Sequence, residues 1–132
     1  LDNSNTLNTF DLTNNKYLVY KLKINNLKSA ILFNNSIIGK NEKYIEIYNI
    51  KNGNLFTKIN IEKIFKKNSK IIKAIVINNN LHLFCDDGKL LILNERLEEK
   101  ENVDLKIRNI NLIYSYQNRL FISNQDGMTY IF

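Results

Sequence analysis

Cys85 and His82 are the only cysteine and the only histidine of the chain, and both lie in the stretch 81–85, LHLFC. A cysteine next to a histidine can form a nucleophilic thiolate. The stretch alternates as a β-strand does, so Leu81, Leu83 and Cys85 share one face and His82 points to the other. The alternation therefore separates the two groups and predicts that Cys85 is a small buried apolar residue.

Carboxylates are the next candidates for chemistry, because clustered aspartates can bind a metal such as calcium. Asp87 and Asp126, however, each stand directly before a glycine, and Asp-Gly is a strong signal for a β-hairpin turn. We therefore predict no catalytic, cofactor-binding or metal-binding residue in this chain, and a non-enzymatic protein. The residues that we single out have structural roles in turns: Asp87, Gly88, Asp126, Gly127, Asn52 and Gly53.

The charge of the chain limits its partners. The net charge is +6, from 19 basic and 13 acidic residues. A nucleic-acid site usually clusters arginine and interleaves it with aromatic residues, but here most basic residues are lysines scattered over turns and alternating strand positions. This pattern predicts a solvated surface and no nucleic-acid partner. No apolar run approaches the roughly 20 residues that a membrane-spanning helix needs.

A three-stranded unit, residues 74–93, repeats along the chain. It consists of short strands joined by an Asn-rich turn and by Asp87-Gly88. Asp126-Gly127 follows Asp87-Gly88 after 39 residues. The first copy of the unit precedes the second by 44 residues, measured from Ala30 to Ala74. The three aligned copies are Leu27–Ile47, Ile71–Ile92 and Ile110–Ile131.

A period of about 40 residues with four short antiparallel strands per unit is typical of β-propeller blades. We predict an all-β chain with about three blades, in which Val103 to Ile107 forms the outer strand of the second blade and Glu62 to Lys67 one helical turn. Three blades do not close a ring, so we expect a partial propeller completed by further sequence or by self-association. The predicted segments are 1–26, the end of a preceding blade; 27–70 and 71–109, two blades; and 110–132, an incomplete blade.

Two of the copies share a motif in which an apolar-x-apolar strand leads into Asp-Gly and then into a further strand. They read LHLFCDDGKLLILN and RLFISNQDGMTYIF, and YIEIYNIKNGN holds the end of the same motif. This motif resembles the quinoprotein-like (PQQ-like) propeller repeats, in particular the bacterial outer-membrane-assembly lipoproteins. The glycine that usually follows the third strand is replaced by Asn94-Glu95-Arg96 in the second copy. The resemblance implies a scaffold in the periplasm or cell envelope whose partners are proteins of the membrane-protein assembly machinery.

Two other functions remain open. A tryptophan–aspartate-type interaction propeller of the cytosol would share the repeat length, but the chain has no tryptophan. A quinone- or sugar-active propeller enzyme would need its catalytic residues in other blades. The aromatic residues Tyr114, Tyr116 and Phe121 are either core between blades or contacts for a partner.

Overall fold

The computed structural model describes residues 6–11, 16–23, 29–65, 68–117 and 119–132. These residues form β-strands, the turns between them and one short helix. Contacts divide the chain into two compact units, Leu1–Asn60 and Ile61–Phe132. Within the described ranges, no helix is long and apolar enough to cross a membrane.

The first unit holds two antiparallel sheets. Strands β1 (Thr6–Asp11) and β2 (Lys16–Lys23) form a two-stranded sheet. The second sheet contains four strands in sequence order, β3 (Ser29–Phe33), β4 (Ser36–Lys40), β5 (Tyr44–Asn49) and β6 (Leu55–Asn60). The end of a preceding blade that we predicted at 1–26 falls on β1, β2 and residues outside the described ranges.

The second unit begins with the helix α1 (Ile61–Phe65) and continues as two antiparallel sheets. The first of these, which we call sheet C, contains β7 (Ile71–Ile77), β8 (Asn80–Cys85), β9 (Lys89–Leu93) and β10 (Glu99–Asp104). The other, sheet D, contains β11 (Ile110–Tyr116), β12 (Arg119–Asn124) and β13 (Thr129–Ile131).

Asparagine and glutamine residues make possible the first turn of the sheet that begins with β3, of sheet C and of sheet D. Asn34, Asn78 and Gln117 all adopt the left-handed backbone conformation, with φ of 50°, 48° and 46°. A two-residue hairpin turn needs positive φ, and asparagine adopts it more readily than most residues. The three hairpins therefore place equivalent residues in equivalent turns.

Sheets C and D repeat each other with a displacement of 39 residues. The bounds of β7 and β8 become those of β11 and β12 when 39 is added. Even the β-bulge recurs, between Ile71 and Lys73 in sheet C and between Ile110 and Leu112 in sheet D. The repeat found in the sequence is thus a repeat of strand register.

One apolar core of the second unit lies between sheets C and D. Phe84 and Leu90 of sheet C pack in one apolar cluster with Ile113 and Ile122 of sheet D, and with Ile107 from the connection between the sheets. Burial of such side chains contributes roughly 1.5–3 kcal/mol each. Face-to-face packing of these two sheets therefore contributes to the stability of this unit.

The outer strand of sheet C differs from our prediction. It runs over Glu99–Asp104 rather than Val103 to Ile107, because the chain leaves the sheet after Asp104 and Lys106 has a positive φ of 61°. Sequence alternation missed its first half because edge residues such as Glu99 and Glu101 are exposed. The helical turn, predicted over Glu62 to Lys67, begins one residue earlier, at the buried Ile61, and is described as far as Phe65. Lys66 and Lys67 lie outside the described residues.

The all-β class and the unit of four short antiparallel strands are confirmed.

Candidate interaction surface

Cys85 and His82 do not form a reactive pair. Cys85 is fully buried, as its strand position predicts. His82 is half-buried, its Nδ1 lies 3.1 Å from the carbonyl oxygen of Asn80, and burial lowers the pKa of its imidazole. Within the described part of the chain, no group of three or more His, Cys, Asp or Glu side chains could hold a metal ion.

Asp87 and Gly88 form the turn between β8 and β9 and fix it to its surroundings. Gly88 has φ of 83°. The Asp87 carboxylate accepts a hydrogen bond of 2.7 Å from the hydroxyl of Ser69 and one of 3.2 Å from the backbone N–H of Lys89. Ser69 is 1% exposed, so this carboxylate satisfies a hydroxyl that would otherwise be buried without a partner.

Asp126 and Gly127 form the equivalent turn of sheet D, where Gly127 has φ of 79°. Here Asn124 supplies the side-chain acceptor, and its Oδ1 accepts from the backbone N–H groups of Asp126 and Met128 at 3.1 and 3.0 Å. In the first unit, Gly53 has φ of 71°, and the Asn52 amide oxygen accepts from the Asn54 N–H at 2.9 Å. The Asp126-Gly127 and Asn52-Gly53 turns are thus held by hydrogen bonds within the turn, whereas Asp87 also bonds Ser69 outside its turn.

Asp104 is the centre of an ion-pair cluster that the sequence did not reveal. Its carboxylate accepts from Lys89 Nζ at 2.9 Å and from both terminal nitrogens of Arg108, at 3.0 and 3.2 Å. Arg108 also donates to the carbonyl oxygen of Asp87 at 2.6 Å. The hydrogen bonds from Arg108 and Lys89 hold the pKa of Asp104 far below its usual range. The cluster ties the end of β10 to the Asp87-Gly88 turn.

Replacing Asp104 by asparagine is expected to destabilise the chain at neutral pH. Because the folded-state pKa is depressed, the stability from this carboxylate is present above its unfolded-state pKa of about 4 and is lost as the pH falls through the folded value. The difference in unfolding free energy between wild type and Asp104→Asn should therefore shrink below about pH 4. Urea unfolding at several pH values measures it. Glu99→Gln, at the exposed start of β10, is the control; a difference independent of pH would contradict the account.

Sheet D presents an apolar face to solvent. We call it the open face and define it by Leu112, Tyr114, Phe121 and Ile131. Strand pairing aligns Tyr114, Phe121 and Ile131 across the three strands. The rings of Tyr114 and Phe121 stack with centroids 4.7 Å apart, and Leu112 and Ile131 are 53% and 59% exposed. A contiguous apolar patch of this kind is a candidate surface for packing or docking.

A groove lies where the β7–β8 and β11–β12 turns come together at one end of the second unit. It has a volume of about 460 Å³. We call it the turn groove and define it by Val76, Asn78, Tyr116, Arg119, Leu120 and Phe132. Tyr116 and Phe132 are 63% and 57% exposed. Aromatic residues and arginine are the residue types that most often dominate binding energy in protein interfaces.

Known structures share this fold. The chain is similar to BamB from Moraxella catarrhalis, with a TM-score of 0.65 and 13% identity over 88% of this chain. It is also similar to KlHsv2 with loop 6CD replaced by a Gly-Ser linker (TM-score 0.64, 16% identity, 89% of this chain) and to BBS1N in complex with ARL6DN (TM-score 0.62, 14% identity, 89% of this chain).

The chain spans only 35% of the BamB chain, 39% of the KlHsv2 chain and 40% of the BBS1N chain. No family model and no curated protein sequence matches it. At these identities the likeness concerns the fold. The described sheets, their strand order and these neighbours together show that the chain has the fold of a partial β-propeller.

Proposed function

We propose that the chain is part of a non-catalytic β-propeller scaffold that binds protein partners. The turn groove is the observation that supports this function. It combines two exposed aromatic rings with the guanidinium of Arg119, and no acidic side chain lines it in the described part of the chain. A concave surface of this composition suits a protein segment that offers an apolar side chain.

Strands and hydrogen-bonded turns hold the walls of the turn groove in place. The backbone N–H of Leu120 donates to the carbonyl oxygen of Phe132 at 3.0 Å, and the reciprocal bond is 2.9 Å. Val76 pairs with Leu81 within sheet C. Because both walls of the groove are already ordered, little binding free energy is lost in ordering them when a partner binds.

The finer proposal is that the scaffold is built of PQQ-like repeats and acts in bacterial outer-membrane protein assembly, in the periplasm or cell envelope. The repeat motifs at residues 81–94 and 119–132 support it, as does the similarity in fold to BamB. Its partners are then proteins of the membrane-protein assembly machinery.

Site-specific photo-cross-linking in cells tests this function. A photoreactive phenylalanine analogue replaces Val76, which is 43% exposed in the turn groove, and a matched variant carries it at Glu101, exposed on β10. We expect discrete cross-linked proteins from position 76 that position 101 does not give, identified by mass spectrometry as membrane-protein assembly components.

The results separate the possible functions. Equal labelling from positions 76 and 101 would contradict a partner site in the turn groove. Specific cross-links to cytosolic proteins would favour the interaction propeller of the tryptophan–aspartate type. A metal or quinone cofactor that co-purifies with the complete protein would favour the propeller enzyme.

A further inference from the structure

The open face of sheet D is the repeat equivalent of a face that is covered in sheet C. Adding 39 to the sheet C residues that face sheet D gives the open face: Ile75 becomes Tyr114, His82 becomes Phe121 and Ile92 becomes Ile131. Ile75 and Ile92 pack against the cluster between the two sheets. Their counterparts Tyr114 and Ile131 are 44% and 59% exposed. The same surface therefore exists twice in the second unit, once covered and once bare.

Backbone hydrogen bonds follow the same repeat. The N–H of Asp86 donates to the carbonyl oxygen of Lys70 at 3.0 Å, and the equivalent bond runs from Gln125 to Asn109, also at 3.0 Å. These bonds tie the turn after the second strand of each sheet to the segment before its first strand.

Two further bonds attach the sheet C turn to the chain that follows. The carbonyl oxygens of Asp86 and Gly88 accept from Ile110 and Leu105, at 3.3 and 3.0 Å. The equivalent acceptors in sheet D are the carbonyl oxygens of Gln125 and Gly127, and no backbone donor reaches either of them from the described residues. Sheet D thus presents the acceptors that in sheet C hold the next sheet.

The two turn glycines show the same difference. A Cβ on Gly88 would overlap the carbonyl oxygen of Ile107, in the connection to sheet D. A Cβ on Gly127 would meet nothing within 4 Å, although φ is nearly the same at the two positions. The space beside Gly127 therefore corresponds to the space that the connecting segment fills beside Gly88.

We propose that the open face seats a further antiparallel sheet of the same repeat, carried by the same polypeptide. That sheet covers Tyr114, Phe121 and Ile131. Its connecting segment lies against Gly127 and donates backbone hydrogen bonds to the carbonyl oxygens of Gln125 and Gly127.

The same polypeptide is favoured over a second copy because of how sheet D itself is attached. Only five residues, 105–109, separate β10 from β11, and they supply both the Leu105 bond and the Ile107 contact at Gly88. A covalent connection brings those contacts to the turn without the loss of translational freedom that a separate molecule incurs. The BamB, KlHsv2 and BBS1N chains are also more than twice as long as this chain.

Hydroxyl-radical footprinting of the complete protein encoded by the gene tests the proposal without any substitution. Aromatic rings are the probes, and mass spectrometry reads their oxidation. Phe56, 75% exposed, and Phe84, fully buried, supply the fast and slow references. We expect Tyr114 and Phe121 to be oxidised much more slowly than Phe56, at every protein concentration, because their counterparts Ile75 and His82 are only partly exposed.

Two results would overturn the proposal. Oxidation of Tyr114 and Phe121 at a rate near that of Phe56 would show that nothing covers the open face. Protection that disappears on dilution would show that a second copy, rather than a sheet of the same polypeptide, covers it.

Discussion

Replacement of Gly88 by alanine is expected to destabilise the 132-residue chain by about 3 kcal/mol or more, among the larger losses seen for single substitutions. Positive φ alone costs an L-residue roughly 1 kcal/mol or more, and φ at Gly88 is 83°. The added Cβ would also overlap the carbonyl oxygen of Ile107 and lie 2.9 Å from Arg108 Nη1. Relief of the overlap must move backbone and disturb the bond from Arg108 to Asp87.

Gly127→Ala is the matched control, because it introduces the same side chain at nearly the same φ, 79°, with nothing within 4 Å of the new Cβ. Only the conformational strain remains, so a loss of about 1 kcal/mol is expected. Urea unfolding midpoints of the two variants measure the difference between them. Equal losses would mean that the connection after sheet C does not lie against Gly88.

Truncation of Phe84 to alanine has the other large expected effect, a loss of about 3–5 kcal/mol. The Phe84 side chain is fully buried in the cluster between sheets C and D. Its removal leaves a cavity between two sheets that the strand pairing holds in place, so the cavity cannot close completely. Free energies of unfolding are commonly about 5–15 kcal/mol, so this loss is a large part of the total stability.

Leu112→Ala is the control for Phe84→Ala, since Leu112 is 53% exposed on the open face. A change within about 0.5 kcal/mol is expected in the 132-residue chain. If Phe84→Ala does not fold, Phe84→Leu gives the same ranking with a smaller loss. Comparable effects at positions 84 and 112 would contradict packing of sheet D on one side of sheet C.

Much of the fold was predictable because local rules determine it. Alternation of apolar residues marks β8 and β9, and the Asp87-Gly88 pair marks the turn between them. Repetition of these signals after 39 residues predicted sheet D. Such patterns reflect turn conformation and the alternation of side chains along a strand, and both depend on residues that are close together in the sequence.

Long-range contacts are what the sequence did not reveal. Alternation places Tyr114 and Tyr116 on one face, but only the structure shows that this face is bare and the opposite one covered. The turn groove requires two turns 39 residues apart to come together. The bonds of Asp104 to Lys89 and Arg108 depend on where β10 leaves the sheet. The sequence of β10 is charged and does not alternate clearly, so it does not predict where this strand ends.

The central claim is that sheets C and D are successive copies of one repeat and pack face to face. Nuclear Overhauser contacts of the Phe84 ring test this claim most directly. Aromatic and methyl labelling of the 132-residue chain makes these contacts observable. We expect cross-peaks from the Phe84 ring to the methyl groups of Ile113 or Ile122, which belong to sheet D and share its cluster. Cross-peaks confined to neighbours within sheet C would contradict the account.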